Sequence, residues 1–356
     1  MWDFTLIDRF EDLDPLQKEW DELAARSDFV DVFSTFGFAR AWWQAYGDGK
    51  LLRAVTARDR RGALRLVAPM WADRGAPERW RFVGKVRADY NNVVFDSAEP
   101  DVLSGFIPWL RRRRDWQQLV FSKVPASSAT AKVLPASLMR DAGLPARVRA
   151  WVDLRNPLSY LRFVREHPYL RGAALQRGAA VLDEPNYREK VRRLGREGTL
   201  AYRCMQDPGE IAGWLDRFFE LHVRAGEHKR KPSLFLEPKN REFYRLLLRS
   251  LDPRAIRLDI LALDESRPIA AHFGFQWAGR VYYYKPCFEP DFSKESPGRL
   301  LVPYVLRHAC QAGMEEVDFL QGLEEYKLRF EPELRETAWI EVYRSRAAKM
   351  LAGAAL

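Results

Sequence analysis

Apolar positions along the first half switch repeatedly between the strand period and the helix period. The short run Phe4–Ile7 predicts a strand, and from about Asp14 the residues Leu16, Trp20 and Leu23 recur three and four apart, as on one helix face. Ser34 is placed to cap a second helix carrying Phe38, Trp42 and Tyr46, which Gly47 ends. Leu51–Ala57, a charged turn at Asp59–Gly62 and a return through Leu64, Leu66 and Ala68 predict a hairpin. Strand-like segments follow at Trp80–Val83 and Asn92–Phe95, then a helix up to Arg114 and a strand at Leu119–Phe121.

The second half repeats this order. Ile211, Trp214, Leu215, Phe218 and His222 form one stripe of a helix that begins near Glu210, and a shorter helix holds Phe243, Leu246 and Leu247. A second hairpin is predicted from Leu258–Leu263 and Ile269–Trp277 around the charged turn Asp264–Arg267. Val281–Tyr284 follows a tight Ala278-Gly279 turn; a helix then opens at Ser296-Pro297-Gly298, and the strand Val317–Leu320 comes after it. The same sequence of elements in both halves reads as an internal duplication. The expected architecture is α/β with mixed sheets. It comprises a module over 1–153, a bridge over 154–185 carrying His167-Pro168 and Glu184-Pro185, and a second module over 186–356.

Composition narrows the class. Hydrophobic content of 47% over 356 residues excludes a disordered chain. No apolar run approaches the roughly 20 residues that cross a bilayer, the N-terminus lacks a leader-like pattern, and the expected location is cytoplasmic. Cys204, Cys287 and Cys310 show no metal-ligand or disulfide spacing, so no metal is expected, nor is an acyl-enzyme nucleophile. The net charge of +9 suggests anionic partners: nucleotide phosphates, an acidic membrane surface or RNA. Its basic runs, Arg111–Arg114, Lys190–Arg196 and Lys229–Lys231, also read as solvated helix faces and helix C-termini.

Three stretches could carry chemistry. In Ser296-Pro297-Gly298-Arg299-Leu300, a glycine at a helix start with an arginine beside it can receive a phosphate, although a plain helix cap would look the same. Tyr326 and Lys327 follow a buried strand; a tyrosine there can protonate a leaving thiolate and a lysine can support an oxyanion, or both can simply pack and solvate. Along Ile269–Trp277, alternation sets Ala270, His272, Gly274 and Gln276 on a small, polar face, making His272 a candidate general base or a satisfied core histidine. Tyr284, sharing a side with Tyr282, can pack or line a substrate site.

Taken together, these pieces resemble the GNAT superfamily of acyl-CoA-dependent N-acyltransferases. More narrowly they resemble its CelD-like branch, related to the tandem-GNAT, Fem-type aminoacyl transferases. The resemblance rests on Phe33–Trp43, Gly84–Tyr90, Pro268–Phe275, Ser296–Leu301 and Asp318–Lys327, and covers nearly the whole chain. It implies two tandem modules, the first degenerate and shaping the acceptor side, the second holding the donor. Ser296, Gly298, Arg299 and Leu300 would hold the phosphates of acyl-CoA, or of an acyl carrier protein. Tyr326 would act as general acid with Lys327 beside it, Asp318 would orient His272 or bind the amine, and Asp89 and Tyr90 would lie near the acceptor cleft. The implied reaction is direct transfer to a primary amine. That acceptor would be a lipid-like amine such as a sphingoid base, an amino sugar or a cell-envelope precursor, with peripheral contact to an acidic membrane. The Fem-like alternative takes aminoacyl-tRNA, although the heptad arm usual in Fem proteins has no counterpart here; a non-catalytic scaffold is the other.

Overall fold

The computed structural model describes residues 2–84, 86–132 and 159–344. The chain divides into two compact units, one formed by Met1–Glu166 with Arg335–Leu356, the other by His167–Leu334.

In the first unit, β1 (Asp3–Ile7) precedes the helix Gln17–Ala25 and the helix Phe36–Tyr46. The second helix is capped by Thr35, whose hydroxyl accepts from the Phe38 N–H; Ser34, the expected cap, is instead bound to the Asp31 carboxylate. Then come β2 (Lys50–Leu52), β3 (Ala54–Arg58), β4 (Leu64–Ala68), β5 (Met70–Asp73), β6 (Ala76–Phe82) and β7 (Val94–Phe95). The helix Asp101–Arg112 follows β7 and leads to β8 (Gln118–Pro125), which lies parallel to β6. Its apolar face, with Val102, Phe106 and Leu110, packs on Trp80, Phe82 and Phe121.

The second unit takes the end of β9 (Ser159–Arg171), then the helices Gly172–Ala180 and Pro185–Leu194 and β10 (Leu200–Met205). The helices Pro208–His228 and Pro238–Ser250 lead to β11 (Ile256–Leu263), β12 (Arg267–Trp277) and β13 (Arg280–Phe288). The helix Pro297–Gln311 then crosses to β14 (Glu316–Asp318), parallel to β13. Strand order is β10-β11-β12-β13-β14-β9. On one face the helix Pro297–Gln311 contributes Leu300, Leu301, Val305 and Leu306 to a core with Leu261, Ile269 and Val281. On the other, Phe218, Phe219 and Phe235 pack with Tyr244 and Phe273.

Both units thus contain two helices, a hairpin and a strand–helix–parallel strand crossover, as the repeated pattern predicts. The division between them falls within strands, in β9 and in β15 (Glu333–Tyr343), not at a linker. Positions 154–158 of the expected bridge lie outside the described residues; the rest forms β9, the helix Gly172–Ala180, a 3-10 turn at Val181–Asp183 and the start of the helix Pro185–Leu194. The His167-Pro168 pair, expected in the bridge, lies within β9: the Pro168 carbonyl accepts from the Phe319 N–H and the next residues pair with β14. Residues 337–343, expected within the second module, pair with β8 of the first unit, so strand pairing and not sequence order assigns them.

The β12–β13 ladder is irregular at one place. Phe273 pairs with Lys285 but Phe275 pairs with Tyr282, so Tyr283 and Tyr284 together face Gly274. This is a β-bulge, with an extra residue on β13. A Cβ on Gly274 would come within 2.2 Å of the His272 ring and 2.6 Å of the Tyr282 carbonyl oxygen. Gly274→Ala should therefore destabilise the protein by about 2 kcal/mol or more, the scale of an overpacked core. Urea unfolding checks this, and an unchanged midpoint would contradict it.

Candidate functional site

The first element of the site is a helix start. Ser296 adopts left-handed φ/ψ (54°, 55°), Pro297 begins the helix, and no side chain caps it. Gly298 follows in helical conformation. A Cβ there would make only ordinary contact with Phe288, at 3.5 Å, so neither backbone strain nor packing demands a glycine; what its small size provides is open space beside the helix end.

That space is a cavity of about 420 Å³, within the range of small-molecule sites. Ser293, Ser296, Gly298 and Arg299 line one side, Tyr283, Pro286, Cys287 and Phe288 of β13 form the wall, and Tyr326 and Lys229 complete it. Arg299 and Lys229 bring two cations to a cavity whose wall is mainly apolar. The Lys229 ammonium also lies 4.7 Å from the centre of the Phe288 ring. Burial holds the Tyr326 hydroxyl well above the ordinary tyrosine range, with the Glu324 carboxylate adding to the effect, so it stays protonated. The Cys287 thiol is pushed up by burial and is no nucleophile at neutral pH.

The structure therefore brings together Ser296, Gly298, Arg299 and Tyr326. Leu300 is not with them: its side chain is fully buried in the core beneath the helix. Lys327 is buried too, and its ammonium binds the carbonyls of Gln321 and Gly322 at 3.2 Å and the Glu324 carboxylate at 2.7 Å. It ties down the 321–324 loop and is not among the cavity residues. Tyr284 stands on the opposite face of the sheet, against Phe275 and Tyr244, with the Lys285 ammonium 4.1 Å from its ring centre. Asp89 and Tyr90 belong to the first unit. Asp89 approaches Lys123 at 3.4 Å, while Tyr90 is fully buried against Phe29 and Phe33.

His272 cannot act as a base in this structure, because both ring nitrogens are occupied and the residue is fully buried. Nδ1–H donates to Asp259 Oδ2 at 2.8 Å, and Nε2 accepts from the Tyr284 N–H at 2.9 Å. The acceptor role of Nε2 fixes the neutral tautomer. Burial depresses the His272 pKa, outweighing the pull of Asp259. Its carboxylate partner is Asp259, not Asp318, which accepts from the Leu320 N–H at 2.8 Å. Asp259 is saturated: Arg257 grips it through Nε at 2.9 Å and Nη2 at 2.6 Å, and Tyr202 donates to it at 2.6 Å. Burial alone would raise the Asp259 carboxyl; Arg257 and His272 together hold it well below the usual carboxylate range.

The alternation of 281–284 could have identified Tyr283, one residue from the tyrosines singled out, as the ring turned toward the helix side. Lys229 was visible only as part of a basic run. Among the described residues no group of His, Cys, Asp and Glu could hold a metal ion. Nor is any helix among them long and apolar enough to cross a membrane.

Residues 185–328 match the family described as acetyltransferase (GNAT) domain. Among solved structures, the chain is similar to FemX at 11% identity and a TM-score of 0.62, covering 95% of this chain and 96% of that one. It is similar also to L-PGS from Bacillus licheniformis at 12% identity and a TM-score of 0.56, covering 94% and 93%. No curated protein matches the chain. Residues 185–328 thus carry an acetyltransferase (GNAT) domain, and the chain as a whole has a mixed α/β fold similar to that of FemX.

Replacing Asp259 by Asn would leave Arg257 as an uncompensated buried charge, so Asp259→Asn should cost about 3–5 kcal/mol. Chemical denaturation measures it; a loss below ~1 kcal/mol, the level of an exposed ion pair, would contradict this account of the cluster.

Proposed function

We propose that the cavity binds a phosphopantetheine-linked acyl thioester, carried by CoA or by an acyl carrier protein, and that the protein transfers the acyl group to a primary amine. One observation carries this reading: the Ser296–Arg299 helix start and Tyr326, distant in sequence, line a single cavity. A helix N-terminus with Arg299 beside it, and Lys229 among the same lining residues, suits the phosphate of the carrier. The apolar wall of Pro286, Cys287 and Phe288 suits the pantetheine arm and acyl group.

In this reading the amine nitrogen forms a bond to the thioester carbon, and the carbonyl π pair moves onto oxygen. The nitrogen loses its proton to water. Collapse restores the carbonyl and breaks the C–S bond, and the leaving sulfur takes the Tyr326 proton. With His272 locked in the sheet, no protein base is assigned to the amine.

General acids contribute roughly 10²–10⁴-fold. Tyr326 belongs at the low end, since burial makes its proton harder to release. Tyr326→Phe should lower kcat about 10²-fold while leaving the donor Kd within about twofold, and His272→Gln should act on stability before turnover. Steady-state kinetics with donor titrations separates these effects; full kcat in Tyr326→Phe would remove the acid from the mechanism.

A further inference from the structure

Tyr283 is the unexplained residue of this cavity. It is 2% exposed, and its hydroxyl has no hydrogen-bond partner among the described residues. An unpaired buried hydroxyl costs roughly 1–3 kcal/mol, which phenylalanine would avoid at the same shape. The ring is not loosely held. It stacks on His272 with centroids 4.1 Å apart and planes 15° from parallel, and meets Phe319 at 5.9 Å. His272 is itself fixed at both nitrogens, by Asp259 and by the Tyr284 N–H. The bulge at Tyr283–Tyr284 sets this ring on the helix side, where it forms part of the cavity wall with Tyr326. Burial, and then the nearness of Tyr326, keep the hydroxyl protonated.

We infer that Tyr283 is a further catalytic residue, whose hydroxyl takes as its hydrogen-bond acceptor the carbonyl oxygen of the bound acyl group. This deepens the thioester reading above and rests on it. When the amine nitrogen bonds to the carbonyl carbon and the π pair moves to oxygen, the Tyr283 O–H donates to that oxyanion and keeps its own proton. Tyr326 serves the departing sulfur. His272 is a positioning residue, acting through the stack that orients the Tyr283 ring.

The test compares acetyl-CoA with S-ethyl-CoA, a thioether of matching size that lacks the carbonyl, together with CoA itself. Titrations are run on the wild-type chain and on Tyr283→Phe, with thermal unfolding of both. A net hydrogen bond is worth about 3–10-fold in affinity, so the wild type should prefer the thioester to the thioether by that factor. Tyr283→Phe should lose the preference, bind CoA unchanged, and melt no lower than the wild type. Retention of the preference in Tyr283→Phe would overturn the inference. So would a lower Tm in the variant, since it would reveal a structural partner for the hydroxyl. If the wild type binds CoA yet shows no preference, this inference alone falls; if it binds none of the three ligands, the thioester reading falls and takes the inference with it.

Discussion

The Asp259 carboxylate is the interaction on which the second unit depends. Fully buried, it gathers Tyr202 from β10, Arg257 from its own strand β11 and His272 from β12, and through His272 it reaches the Tyr284 N–H of β13. Polar contacts therefore run across four strands around one charge. Buried ions are costly to desolvate, and this one is tolerable only because it is saturated: a bidentate arginine and two further donors satisfy it. The arrangement also explains two local irregularities. Gly274 has no side chain because the imidazole occupies the place a Cβ would take, and the bulge on β13 leaves an N–H that the imidazole accepts.

The cavity sits beside this cluster and inherits its geometry. Its wall is β13 just past the bulge, and its far side is the start of the helix that packs on the same sheet. Charge in the unit is thus partitioned. The buried charges Arg257 and Asp259 fix strands, with His272 held neutral, while the polar groups among the cavity's lining residues are hydroxyls and two surface cations. Such a site can polarise and protonate; it contains no thiolate poised for attack, since burial keeps Cys287 protonated.

Local periodicity makes much of this fold legible in the sequence alone. The two halves, their hairpins and their crossover helices follow from apolar spacing, and the Ser296–Arg299 turn and Tyr326 were identifiable by residue type. What periodicity could not supply was pairing across the sheet. His272 looked like a base because its type and strand face allow it; only the register opposite Asp259 shows it to be locked. Lys327 looked like an oxyanion stabiliser, yet its ammonium is used within its own loop. Alternation sets Tyr283 on the helix side, but its stack on His272 depends on the pairing of β12 with β13, and the pairing of residues 337–343 depends on partners more than 200 positions away.

The cavity beside Gly298 is proposed to hold a phosphopantetheine thioester. Isothermal titration of the whole chain with CoA, acetyl-CoA and a long-chain acyl-CoA tests it directly, with Gly298→Trp filling the cavity as the control. Binding of at least one thioester with a micromolar Kd, abolished in Gly298→Trp, is the result the account predicts. No binding by any of them, or equal binding by the filled variant, would contradict it and turn attention to aminoacyl-tRNA as the donor.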